Sequence, residues 1–285
     1  MIQDIGEHSF RIEYIDRAPD SNSKVMFFNN GKLLVIHVSE KEHDIDYPEY
    51  DKISEQCKEL TYLFSLDDTA YFRCELKENE AEIIRQTLSP KGMRATFENR
   101  SFFRQVRPNA LALVSITGMH LNGWYEKTVF CGACAHKLIH DTKERMMRCP
   151  SCGNMIFPRI NPAVIVAVTH EDKVLVTRYK DREYKNLALI AGFNEIGESL
   201  EETVRREVME EAGIKVKNIK YYKSQPWGFA DNILVGYFCE ADGNTDIVMD
   251  EEELSMAKWI KRSEIPINTE SFSLTWEMIN SLVDK

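Results

Sequence analysis

Two apolar runs, AVIVAV (Ala163 to Val168) and KVLVT (Lys173 to Thr177), stand either side of a polar turn. Short, strongly apolar runs rich in β-branched residues predict strands. LALIA (187 to 191) predicts a third strand. KVKNIKYYKS, NILVGYFCEA and AKWI near Trp259 continue the strand pattern, and a last helix is expected within residues 270 to 283. Between the third strand and KVKNIKYYKS the period changes. At about 100° per residue, Leu200, Val204, Glu207 and Glu211 fall on one narrow helical face, with Glu210 beside them. An amphipathic helix keeps its carboxylates away from the apolar stripe. Here two of them continue the stripe, so they are expected to point into the protein.

Upstream, SFRIEYI, KVMFFNNGKLLVIHV, LTYLFSL and AYFRCEL read as short strands, with Asn29-Asn30-Gly31 as a hairpin turn. Glu80 to Thr87 predicts a short helix with Asn79 as its N-cap, and helical spacing recurs from Asn109 through Trp124. The pattern predicts an α/β protein in three parts: an amino-terminal α+β, β-rich domain (1–125), a cysteine-rich segment (126–158) and a domain at 159–285. In the last, helices interspersed with a mixed sheet suggest an α/β/α sandwich.

The 285 residues carry a formal net charge of −10, which argues against broad electrostatic binding of nucleic acid. No apolar run has the length of a membrane span, and the start, MIQDIGEHSF, lacks the basic and apolar regions of a secretory signal. The seven cysteines include two C-x-x-C pairs, a pattern that fits a reducing cytoplasm with a metal site better than a disulfide framework. Cys131-Gly-Ala-Cys134 and Cys149-Pro-Ser-Cys152 suit tetrahedral thiolate coordination of Zn²⁺. Four sulfurs leave no open position, so this zinc is expected to be structural, contributing on the order of 10 kcal/mol to ordering the segment. Lys137, Lys143, Arg145 and Arg148 give some support to a nucleic-acid-binding ribbon, but a ribbon embedded in an acidic chain looks more like a scaffold.

The helical carboxylates carry the second candidate chemistry. At about 5.5 Å and an effective dielectric near 20, each enclosed pair repels by roughly 3 kcal/mol. A cation would hold such groups ionised, and oxygen-rich sites select Mg²⁺ or Mn²⁺. Arg206, one turn from Glu202 and Glu210, is expected to brace the acids. Gly192, Glu198, Arg206, Glu207, Val208, Glu210, Glu211, Gly213 and Ile214 match every fixed place of G-x5-E-x7-R-E-U-x-E-E-x-G-U, where U is a bulky aliphatic. This stretch resembles the box of the Nudix hydrolases. The resemblance implies the Nudix α/β/α sandwich and metal-dependent hydrolysis of a nucleoside diphosphate linked to another group.

Ser224-Gln225-Pro226-Trp227-Gly228-Phe229 resembles the SQPWPFPxS element of the NAD(H) pyrophosphatases within that family. Trp227 and Phe229 offer flat faces to a base, and Ser224 and Gln225 offer hydrogen bonds. Gly228, Ala230 and Asn232 stand where the family has two prolines and a serine, which should loosen the loop. The order of amino-terminal domain, four-cysteine ribbon, FPRINPAVI (Phe157 to Ile165) and box domain resembles the same enzymes. From that resemblance, Phe157 and Phe193 are expected to grip a base across a homodimer interface. Glu207, Glu211, Glu253 and the Ala191 carbonyl are expected to hold Mg²⁺ or Mn²⁺, with Glu210 and Glu198 completing and supporting the cluster.

The expected activity is hydrolysis of NADH or NAD⁺ to nicotinamide mononucleotide and AMP, with removal of an NAD cap from RNA as a related reaction. Another nucleotide, such as ADP-ribose or a dinucleoside polyphosphate, is the enzymatic alternative. A noncatalytic zinc-ribbon regulator that senses nucleotides is the alternative of another class.

Overall fold

The AVIVAV run lies within a strand, Asn161–His170, whose side chains divide between two cores. Ala163, Ile165 and Ala167 pack with Leu274, Trp276, Met278, Ile279 and Leu282 of the closing helix, Leu274–Val283. Val164, Val166 and Val168 pack with Val204, Val208 and Ala212 of the box helix, Leu200–Ala212. This is the two-residue alternation of a pleated strand. The run is apolar throughout because a helix covers each face of the sheet.

The sheet runs in the order Val216–Trp227, Asn232–Ala241, Asn161–His170, Lys173–Tyr179, Leu254–Lys261, with Ile190–Phe193 also paired to Asn161–His170. Asn161–His170 and Asn232–Ala241 are parallel, and the other pairings are antiparallel. The sheet is therefore mixed and the unit is an α/β/α sandwich, as expected. The third strand differs from its predicted bounds. It begins at Ile190 and continues to Phe193, whereas Ala188 makes only an isolated bridge to Thr177.

The computed structural model describes residues 1–89, 94–180, 187–268 and 272–283. They fall into two compact units: Gln3–Arg159, and Ile160–Lys285 joined by Met1 and Ile2. The expected final helix is Leu274–Val283; residues 270 and 271 lie outside the described residues.

In the amino-terminal unit, Lys24–Asn29 and Lys32–His37 form the predicted hairpin, with Asn30 (φ 49°) and Gly31 (φ 71°) turning it. These strands belong to a seven-stranded sheet with Thr61–Leu66 and Thr69–Glu75. The predicted 80–87 helix is Glu78–Leu88, and Asn79 is inside it, not at its cap. The start falls at Lys77 because the Glu80 carboxylate accepts the Lys77 N–H at 3.1 Å, satisfying an otherwise free donor. Asn109–Lys127 is the long helix of this unit. No helix among the described residues is long and apolar enough to cross a membrane.

Candidate active site

Local sequence sets both ends of the box helix. The Ser199 hydroxyl accepts the Glu202 N–H, and the Glu202 carboxylate accepts the Ser199 N–H at 2.7 Å, forming a capping box. Gly213 ends the helix in the left-handed region at φ 69°. Between these ends Glu207 and Glu211 are 9% and 2% exposed, so they do face inward, whereas Glu210 is exposed. Glu207 can sit where it does because residue 192 is glycine. A Cβ built there would lie 1.8 Å from the Glu207 Cδ.

Arg206 is the brace: of the two acids its helical position suggested it holds Glu210 but not Glu202, and it adds Glu198 and Glu207. Its Nε and Nη2 donate to the two Glu198 oxygens at 2.7 and 2.9 Å, Nη1 donates to Glu207 at 2.7 Å and Glu210 at 3.0 Å, and Nη2 also reaches the Phe193 carbonyl at 2.8 Å. Glu202 is not a partner because the capping box already engages its carboxylate. The Arg206 bonds, with Thr203 Oγ1 donating at 2.9 Å, hold the Glu198 carboxyl well below the usual range, at about 2.

Glu211 is held differently. Burial first, then the nearby charges of Glu207 and Glu253, raises its carboxyl to about 8. Burial likewise raises Glu207. Tyr179 Oη donates toward Glu211 Oε1 at 3.3 Å, while Oε2 is buried with no hydrogen-bond partner. A buried carboxylate oxygen left unpaired is costly. The charges of Glu207 and Glu253 act on this carboxyl, and carboxylate oxygens are the hard donors a divalent cation takes. Glu253 is exposed on the loop after Asp250. Main-chain bonds tie that loop to two segments: Lys180 N–H to the Glu253 carbonyl at 2.8 Å, just past the strand Lys173–Tyr179, and Asp250 N–H to the Glu211 carbonyl at 3.1 Å, on the helix. The Ala191 carbonyl accepts from Tyr179 Oη at 3.2 Å. Sequence reasoning missed Tyr179. It ends an ordinary strand, and nothing local marks it.

The four cysteine sulfurs, all in the amino-terminal unit, lie within 4.8 Å of one another, with Cys131–Cys152 at 3.6 Å and Cys134–Cys149 and Cys134–Cys152 at 3.4 Å. Tetrahedral Zn–S bonds of about 2.3 Å would set sulfurs about 3.8 Å apart, so the spacing fits zinc. Each pair forms the same knuckle: Ala135 N–H to Cys131 O, and Gly153 N–H to Cys149 O. Main-chain amides around Cys131, that of Ala133 foremost, lower its thiol, whereas hydrogen bonds with the neighbouring cysteines raise that of Cys134, so the four sulfurs share their protons unevenly. Among the described residues the glutamate oxygens do not close to this spacing.

The aromatic element also departs from expectation. Ser224, Gln225, Pro226 and Trp227 do not follow a strand; they are the last residues of Val216–Trp227, paired with Val235, Leu234, Ile233 and Asn232. The turn at Gly228 and Phe229 is closed by the Ala230 N–H bonded to Trp227 O at 3.1 Å, with Asp231 at φ 57°. Gln225 is not placed to hydrogen-bond a base. It is 0% exposed, and its amide donates to Phe272 O at 2.7 Å and accepts from Leu274 N–H at 2.6 Å, anchoring the start of the closing helix. Trp227 and Phe229 are half-buried, 4.7 Å apart between centroids, and both pack near Phe272. Pro226 is exposed, Ser224 half-buried and Gly228 buried. Phe193, on the box unit, is 54% exposed; Phe157, near the end of the amino-terminal unit, is 52% exposed.

Residues 159–278 match the NUDIX domain family, and residues 126–157 match the NADH pyrophosphatase zinc ribbon domain. An NAD-capped RNA hydrolase NudC from Salmonella typhi is 39% identical over 150 residues, 53% of this chain and 58% of that protein. The NudC of Escherichia coli (strain K12 / DH10B) is 38% identical over the same shares. The chain thus spans 58% of the length of these curated relatives. A NUDIX hydrolase crystal structure from Nitrosomonas europaea matches with 22% identity and a TM-score of 0.47, covering 54% of this chain and 90% of that one.

Proposed function

We propose that this chain, an NADH pyrophosphatase zinc ribbon leading into a NUDIX domain, hydrolyses the pyrophosphate of NADH or NAD⁺ to nicotinamide mononucleotide and AMP. The observation that carries this reading is the buried, half-unpaired Glu211 carboxylate beside Glu207 and Glu253. The names of the NudC relatives favour a second substrate for the same chemistry, an NAD cap on RNA. There the same bond is cleaved, with RNA in place of the adenosine end.

Glu207, Glu211, Glu253 and the Ala191 carbonyl are the residues that would hold Mg²⁺ or Mn²⁺. When bound, such an ion neutralises charge on the pyrophosphate oxygens and lowers the pKa of an attacking water. Arg206 keeps Glu198, Glu207 and Glu210 in register on the box helix. Glu198 is a poor base near neutral pH, because its carboxyl is held at about 2 and both oxygens are bonded to Arg206. The water's proton therefore passes to another glutamate of the cluster. Phe193, Trp227 and Phe229, all in the box unit, present ring faces to the nucleotide, with Ser224, Pro226 and Gly228 shaping its edge, and Phe157 is assigned a stacking face on the resemblance alone. The zinc held by Cys131, Cys134, Cys149 and Cys152 is structural. A homodimer in the cytoplasm is part of the same reading, on the resemblance of the domain order and on the free-thiol chemistry of the ribbon.

A substrate panel tests it. NADH, NAD⁺, ADP-ribose and NAD-capped RNA are incubated with Mg²⁺ or Mn²⁺, and products are resolved chromatographically. The highest kcat/KM is expected for NADH, NAD⁺ or the capped RNA, and turnover by Glu211→Gln should fall at least about 100-fold. Saturable binding of NADH without cleavage under either metal would favour a regulator instead.

A further inference from the structure

Tyr179 closes the strand Lys173–Tyr179 at an irregularity in its pairing with Leu254–Lys261: Arg178 faces Met256, Tyr179 faces Leu254, and Ser255 is the extra residue between. Ser255 Oγ donates to the Arg178 carbonyl at 3.1 Å, fixing the bulge. A bulge re-aims the side chain beside it. The tyrosine is buried, 8% exposed, and its ring ends among groups from two other chain segments. The Ala191 N–H donates to Tyr179 Oη at 2.9 Å, and the Ala191 carbonyl and Glu211 Oε1 lie 3.2 and 3.3 Å from the same oxygen. The next residue, Lys180, adds a main-chain bond to the Glu253 carbonyl. Two adjacent residues thus touch all three segments that carry the acids and the carbonyl.

A phenol has one proton to give. The Ala191 N–H already occupies an acceptor position on Oη, and the hydroxyl proton has the Ala191 carbonyl at 3.2 Å, Glu211 Oε1 at 3.3 Å and the Leu189 carbonyl at 3.5 Å within reach. Glu211 Oε2 has no protein partner, which leaves Oε1 to the tyrosine and Oε2 to an incoming cation. We propose that Tyr179 is a positioning residue for the divalent-ion site, orienting the Glu211 carboxylate through Oε1 and the 191 peptide through its N–H. This rests on the pyrophosphatase reading above. Outer hydrogen bonds of this kind fix the orientation of a ligand before the ion arrives.

The test is titration of the full-length, zinc-loaded protein with Mn²⁺, followed by electron paramagnetic resonance of the free ion, for wild type and Tyr179→Phe. Removing the hydroxyl keeps the ring in its core and should raise the Mn²⁺ Kd by about 10- to 100-fold. A role in packing alone would shift the unfolding midpoint and leave that Kd unchanged. In kinetics with NADH, the loss in kcat/KM at limiting Mn²⁺ should be largely recovered at saturating Mn²⁺. If Tyr179→Phe fails to fold, Tyr179→Leu, which also lacks the hydroxyl, is titrated in its place. Equal Mn²⁺ affinity in wild type and the folded variant overturns the proposal. A wild type that neither binds Mn²⁺ at this site nor cleaves dinucleotide removes the pyrophosphatase reading itself, and that failure is visible without any variant.

Discussion

Burying Glu211 should make the stability of the ion-free protein fall as pH rises. Its carboxyl is raised from 4.5 to about 8 in the folded state, first by burial and then by Glu207 and Glu253. The folded chain therefore binds this proton more tightly than the unfolded chain does. The contribution is fully present below the unfolded value of 4.5 and is lost as pH climbs through about 8. At about 1.4 kcal/mol per pH unit the whole span is worth roughly 4–5 kcal/mol, with about 4 kcal/mol of it falling between pH 5 and pH 9. That is a large share of the 5–15 kcal/mol typical of a folded domain. Glu211→Gln removes the titrating group while keeping its size, so the difference between variant and wild type reports Glu211 together with its coupling to Glu207 and Glu253. The assay is urea unfolding at pH 5, 7 and 9 in buffer freed of divalent ions, with the zinc left in place. Tryptophan fluorescence follows the box unit, which contains Trp227, Trp259 and Trp276. Glu211→Gln should gain on wild type by about 4 kcal/mol from pH 5 to pH 9. Saturating Mg²⁺ should abolish the wild-type decline, because the ion takes the place of the proton. Parallel pH profiles for the two proteins would refute the reasoning.

Four further outcomes follow from the same geometry. Arg206→Lys cannot span both Glu198 oxygens, Glu207, Glu210 and the Phe193 carbonyl, so steady-state kcat should drop about 100-fold. Gly192→Ala places a methyl 1.8 Å from the Glu207 carboxyl carbon; calorimetry should show Mg²⁺ binding weakened at least about 10-fold, with zinc content unchanged. Gln225→Met strands Phe272 O and Leu274 N–H, costing about 1–3 kcal/mol in urea unfolding, and should leave the KM for dinucleotide unaltered. Cys152→Ser opens the four-sulfur set; a colorimetric zinc assay should find loss of the ion, and limited proteolysis should cut within 126–157, since binding on the order of 10 kcal/mol orders such a segment.

Several features were legible before any coordinates because their causes are local. The face shared by Leu200, Val204, Glu207 and Glu211 follows from helical pitch, and Ser199, Glu202 and Gly213 mark the helix ends within one turn. The C-x-x-C knuckles and the Asn30-Gly31 turn are likewise contained in a few neighbouring residues. Local reasoning went astray where a second segment decides the outcome. Arg206 looked equally close to Glu202 and Glu210, but Glu198, on the loop before the helix, claims its planar fork with two oxygens. Gln225 looked like a ligand-facing amide until strand register placed it beneath the closing helix. A one-residue change in register would turn that side chain to the other face.

The sequence by itself determined the zinc-binding pairs, the box helix with its inward acids, and the strongly apolar strands. Only the tertiary structure decided which Glu211 oxygen is left without a partner, that Tyr179 reaches the 191 peptide, and that Lys180 ties the acidic loop near Glu253 to the site. Helical pitch and turn chemistry act over a few residues and can be read in order along the chain. The free or bonded state of one buried oxygen depends on a strand end and a helix 32 residues apart along the chain, and no local pattern encodes that meeting.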